Sequence, residues 1–164
     1  MHQSLLRLAG GAVFALASST ASAHWTTTTL EITGVLQEIP GPSARCPSKF
    51  GGTITGHGTS PQLGRLAFVA NDCITQDGAI FNFSQGRFII MTLTGEQLYA
   101  NYSGQFVPTG EGTKYVFNGA TFQITGGTGR YMFASGGGSL QGTEDMATGA
   151  GTLKLTGKVS HWSP

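Results

Sequence analysis

Charge is scarce in this sequence. Asp, Glu, Lys and Arg make up 10% of its 164 residues, and setting Arg7 aside leaves eight basic residues against eight acidic ones. So neutral a chain has no basic footprint for nucleic acid. Helical periodicity is almost missing, so helix is expected to be rare beyond the first residues. Cysteine is limited to Cys46 and Cys73, with no C-x-x-C pair. A two-thiolate metal site would have only His57 near enough in sequence to serve as a third ligand. There is no G-x-S-x-G elbow to expose a serine nucleophile, and neither a G-x-G-x-x-G spacing nor a Gly-Lys-Ser/Thr ending to cradle a phosphate. No apolar stretch after Lys158, the last basic residue, could anchor the chain in a membrane. No fixed-period repeat, linker or second domain is visible.

What is present begins with an export signature. Arg7, the apolar run Leu8 to Ala17 and the small-residue site Ala21-Ser22-Ala23 read as a cleavable signal over residues 1–23. A run of about ten residues is short against the roughly 20 that span a bilayer, so a retained anchor is the lesser reading. The remainder, residues 24–164, is expected to be one secreted or periplasmic domain with no membrane span. In that oxidising setting an even pair of cysteines predicts a Cys46–Cys73 disulfide. It would close a loop of 28 residues, for which chain entropy gives roughly 3 to 4 kcal/mol.

Twenty-six glycines, many threonines and ten phenylalanines point to an all-β chain with tight turns. Thr28, Leu30 and Ile32 alternate with Thr29, Glu31 and Thr33 until Pro40-Gly41-Pro42 stops the first strand. Further strands are predicted near 52–56, 64–69, 79–83, 87–93, 97–106, 114–125, 130–141 and 151–159. The residues 43–49 read as loop. Short turn-like breaks favour consecutive hairpins, hence an eight-stranded antiparallel up-and-down β-barrel, with a two-sheet sandwich as the alternative. Phe122-Gln-Ile-Thr-Gly-Gly-Thr-Gly-Arg-Tyr reads as strand, glycine corner, strand, with Arg130-Tyr-Met-Phe-Ala as the second strand.

That corner, followed by Ala134, Gly136 and Gly142, resembles the G-G-T-G-x-F-x-x-A-x-G corner of dirigent proteins and the I-T-G-G-A-G corner of allene oxide cyclases. The segments Gly58-Thr-Ser-Pro-Gln-Leu-Gly-Arg and Thr94-Gly-Glu-Gln-Leu-Tyr-Ala-Asn-Tyr-Ser-Gly are similar to stretches of uncharacterised bacterial secreted proteins. The resemblance covers Thr94 to Gly157 and implies the eight-stranded barrel of the allene oxide cyclase and dirigent-like superfamily. In the cyclases a Tyr-Glu-Ile-Asn strand carries a catalytic glutamate and a water-holding asparagine. Leu30-Glu31-Ile32-Thr33 looks like that strand, so the resemblance implies Glu31 as general base, with Thr33 departing from the asparagine. In dirigent proteins paired acidic residues and an arginine at the barrel mouth handle the ligand. Asp72, Asp77, Arg65 and Arg87 are residues of that type.

Three functional classes follow: a barrel holding a small apolar ligand in its lumen, a cyclase or isomerase using Glu31 in that lumen, and a structural envelope protein with a filled barrel. The aromatic-rich second half, from Tyr99 to Phe133, reads as core. No cofactor is expected. A terminal copper site is the one metal alternative, because cleavage after Ala23 would leave His24 as the first residue and His161-Trp162 echoes His24-Trp25. Homo-oligomers are the habit of the resembling families, so a dimer or trimer is the corresponding expectation here.

Overall fold

The computed structural model describes residues 24–163. The predicted signal segment 1–23 lies outside the described residues. Eight strands follow one another, β1 His24–Pro42, β2 Phe50–Ser60, β3 Gly64–Asp77, β4 Ile80–Thr92, β5 Gln97–Pro108, β6 Lys114–Gly127, β7 Ser135–Asp145 and β8 Ala150–Ser163. Each pairs antiparallel with the next and β8 returns to β1, which closes the barrel. Closure excludes the sandwich.

Two-residue periodicity decides which side chains fill the interior. Leu30, Ile32, Leu66, Phe68, Ala70, Ile90, Leu98, Ala100, Phe122, Ile124, Leu153 and Leu155 all point inward and are buried in one apolar cluster. Of the aromatic second half, Tyr102, Phe106, Phe122 and Tyr131 are buried as expected, whereas Phe133 is exposed; Phe106 packs against Phe83 at 4.7 Å, and Phe68 stacks on Phe88 at 5.0 Å. The interior is therefore packed, not hollow.

Two predictions about local structure are corrected. Segments 79–83 and 87–93 are one strand, β4, interrupted by a bulge between Phe83 and Gly86. The bulge holds Gln85 at φ 50° and shifts the inward parity from Phe83 to Gly86, Phe88 and Ile90. That parity change is what made one strand look like two. The stretch after the glycine corner is not strand either. Gly129–Tyr131 is a single 3₁₀ turn, and β7 starts only at Ser135. Gly126 and Gly129 take φ of 139° and 57°, which lets the chain double back so that Tyr131 can plug this end of the barrel. Arg130 fixes the corner through a two-pronged ion pair to Glu96 in the β4–β5 turn, its Nη2 at 2.8 Å from Oε2.

The end plugged by Tyr131 also carries the β2–β3 and β4–β5 turns and both strand termini. The opposite end gathers the β1–β2, β3–β4, β5–β6 and β7–β8 connections. There the 43–49 loop is strapped to the outside of β3 by the Cys46–Cys73 disulfide, with Cα atoms 5.3 Å apart. Among the described residues no helix is long and apolar enough to cross a membrane.

Candidate functional site

Three carboxyl groups, Glu38, Asp72 and Glu144, are buried at the end of the barrel opposite Tyr131. Strand parity puts them there. Glu38 continues the inward row Leu30, Ile32, Leu36 of β1, Asp72 continues Phe68 and Ala70 of β3, and Glu144 continues Leu140 and Gly142 of β7. Space for them comes from β2, where Gly52 lies opposite Pro40. A Cβ at Gly52 would run into the Glu38 carboxyl and crowd that of Asp72.

The three groups are not equivalent. Asp72 is well supplied with donors: the Gly52 N–H donates to Oδ1 at 3.1 Å and the Tyr102 hydroxyl donates to Oδ2 at 3.0 Å. Burial pushes its pKa up, while those two hydrogen bonds and the Arg45 guanidinium pull the other way. Tyr102 in turn is held well above its ordinary range by burial and by the Asp72 charge. Glu38 and Glu144 share a side-chain hydrogen bond. Burial, then the Glu144 and Asp72 charges, raises Glu38 to about 10, and burial raises Glu144 to about 7. As a pair they release protons in two separated steps, so near neutral pH Glu38 holds its proton and donates to Glu144. Glu38 Oε1 itself is buried and meets no N–H or hydroxyl donor.

Two spaces meet at this pair. Inward, among Phe68, Phe83, Phe88 and Phe106, lies a cavity of about 30 Å³, enough for about one water. Outward, a mouth of about 190 Å³ is walled by Pro40, Phe50, Ile74, Phe81, Phe106 and Met146, with Glu38 and Glu144 at its floor. The arrangement is an apolar funnel ending on a carboxyl pair. A larger hollow of about 490 Å³ lies on the outer wall, where Arg45, Gln85 and Arg87 flank the β4 bulge. No buried polar side-chain atom without a partner lies in its lining, so the mouth is the stronger site.

Among the residues singled out from the sequence, Asp72 alone belongs to this cluster. Glu31 is exposed on the outer wall between the fully buried Leu30 and Ile32, and its backbone N–H donates to Gln62 Oε1 at 3.1 Å. The parity that buries Leu30 and Ile32 turns Glu31 away from the lumen, so the lumen position expected for it is corrected. Arg65 and Arg87 face outward and Asp77 is exposed at the end of β3. The terminal strands pair as the copper idea requires, with His24 opposite Ser163 and His161 opposite Thr26. His161 Nδ1 donates to the Trp162 carbonyl at 3.1 Å, and its ring packs edge-on against Tyr131. Among the described residues, no three or more His, Cys, Asp or Glu are grouped to hold a metal ion. Glu38 and Glu144 were not singled out, although the inward rows that contain them were readable as rows.

No family model and no curated protein matches the chain. Among solved structures, the chain is similar to a pterocarpan synthase dirigent protein at 13% sequence identity and a TM-score of 0.49, over 92% of this chain and 98% of that one.

Proposed function

We propose that the barrel is a binding protein for a small, largely apolar molecule that enters the open mouth, not the lumen, and meets the Glu38–Glu144 pair with a polar group. The observation that carries this reading is Glu38, 3% exposed, which lines both the mouth and the inner cavity and whose Oε1 meets no N–H or hydroxyl donor. An unsatisfied buried oxygen costs about 1 to 3 kcal/mol, which a ligand or a water would relieve. The reading takes the protein as exported. The 1–23 signature and a disulfide of the kind that persists in oxidising compartments support that part, and N-terminal sequencing of mature protein should begin at His24.

The test is an amide NMR titration with benzyl alcohol. Shifts are expected at Phe50, Ile74, Phe81, Met146 and Gly149 and not at Leu63 or Tyr131, and Met146→Trp should abolish them by filling the mouth. Shifts confined to the Trp25 and Trp162 end, or none, would refute the mouth as a ligand site and leave the packed interior to a structural role.

A second reading has its own observation, the separation of the two carboxyl pKa values. Environments that push paired carboxyls apart create an acid and a base in one site. In an isomerisation at the mouth, Glu144 would be the base and Glu38 the acid. Loss of turnover in Glu144→Gln with ligand binding retained is the result that reading requires.

A further inference from the structure

We infer that the mouth selects a ligand bearing an organic ammonium group, with its charge on the Glu38–Glu144 pair and its apolar part against Phe50, Phe81 and Phe106. This rests on the mouth being a ligand site and goes further by fixing the charge of the occupant.

The argument starts from which charges already have partners. Packed around the pair are Asp72 from β3 and Tyr102 from β5, while Arg45 of the 43–49 loop is exposed on the outer wall. Asp72 is satisfied by Gly52 and Tyr102, and the Arg45 guanidinium acts on Asp72 while donating its Nη1 hydrogen to the Gln85 carbonyl at 3.0 Å. Among the described residues no cation forms an ion pair with Glu38 or Glu144, and Glu38 Oε1 meets no N–H or hydroxyl donor. A neutral hydroxyl could satisfy that oxygen but would leave the single negative charge of the proton-sharing pair without a counter-ion. An ammonium does both, because it is a donor in every direction and carries the missing positive charge.

The walls fit the same occupant. Phe81 and Phe106 line the mouth, and Phe50 stands at its rim, 43% exposed. Aromatic faces attract organic cations more strongly once water is excluded. A metal ion is a poorer match, since the carboxyls are not grouped to hold one and the walls supply no further oxygen ligands. The volume of about 190 Å³ corresponds to roughly six water-sized groups at about 30 Å³ each, which restricts the occupant to a small molecule.

Benzylammonium and benzyl alcohol are nearly isosteric and separate charge from shape. In calorimetric or NMR titrations of the purified protein at pH 8.5, benzylammonium should bind at least tenfold more tightly than benzyl alcohol. At pH 5.5, where both carboxyls of the pair are protonated, the preference should fall to within twofold. Glu144→Gln should erase the preference at pH 8.5 while keeping the alcohol's affinity. Should that variant fold poorly, Glu38→Gln, which retains the Glu144 carboxylate, should keep most of it. Equal affinities for the two probes at pH 8.5 would overturn the charge inference and leave the mouth as a ligand site. Binding of neither at Phe50, Phe81 and Met146 would overturn both.

Discussion

Replacing Glu38 by glutamine should make the barrel more stable at neutral pH and leave it nearly unchanged in mild acid. In the unfolded chain Glu38 and Glu144 ionise near 4.5, but in the barrel the pair gives up its protons only at about 7 and about 10. Between those limits the folded state holds more protons than the unfolded state, so stability is greatest below about pH 4.5 and declines as pH rises. Each extra proton contributes a slope of about 1.4 kcal/mol per pH unit. From pH 5 to 7 that amounts to about 2 to 3 kcal/mol for each carboxyl, somewhat less for Glu144 because it titrates within this range. Glu38→Gln removes one of the two contributions, because the amide can donate to Glu144 with no proton to lose. Asp72, also raised, is present in both proteins and largely cancels in the comparison. Urea unfolding followed by tryptophan fluorescence should therefore give a wild-type stability that falls more steeply than the variant's over this range. At pH 7 the variant should be ahead by about 2 to 3 kcal/mol, a midpoint difference of about 1 M urea for a slope near 2 kcal/mol per M. Parallel curves from pH 5 to 7 would refute the assignment of a retained proton to Glu38.

Other outcomes follow from the same geometry. Tyr102→Phe removes the hydroxyl that donates to Asp72 Oδ2 and should cost about 1 to 3 kcal/mol in urea melts near pH 7, with a smaller loss at pH 4, where a protonated Asp72 needs that donor less. Gly52→Ala forces a methyl into the Glu38 carboxyl and should destabilise by about 1 to 3 kcal/mol, whereas Gly41→Ala, with nothing within 4 Å of the new Cβ, should change thermal stability little. Reducing the Cys46–Cys73 bridge, or replacing both cysteines by alanine, should lower stability by about 3 to 4 kcal/mol and speed proteolysis within the 43–49 loop. Glu31→Gln should stay within about 0.5 kcal/mol of wild type and leave benzyl alcohol titrations unchanged; an effect on either would reinstate Glu31 as part of a site.

The barrel was legible because its grammar is local. Alternation at Thr28 to Thr33 and the short breaks between later segments are each read within a dozen residues, and seven consecutive hairpins close in few ways, although Pro40-Gly41-Pro42, read as a stop, still pairs with β2 as the last residues of β1. The errors also have local causes. A bulge at Gln85 reverses parity without any proline or glycine at its apex, and Arg130 to Ala134 has strand-like residues in a turn that is enforced from outside by Glu96. The site was harder because a carboxylate in an inward row conflicts with the ordinary preference for solvent. Only the meeting of β1, β3 and β7 around Gly52 makes Glu38, Asp72 and Glu144 tolerable there, and sequence alone does not bring those three strands together. Glu31 drew attention through a resemblance of four residues, yet its own neighbours Leu30 and Ile32 already turned it outward.

The pairing of β1 with β8 from His24–Ser163 to Gln37–Ala150 has a consequence for how the molecule is made. Its first strand must wait for its last. Until the segment 150–163 has emerged, one edge of β1 offers its backbone N–H and C=O groups to any passing strand, and the growing sheet has no closed interior. Contact order is high in such a topology, so folding should be slow and should complete only once β8 is available to pair with β1. An incomplete chain should then be an aggregation hazard, not a partly working barrel, and a holding chaperone should matter more to its yield than to its final stability.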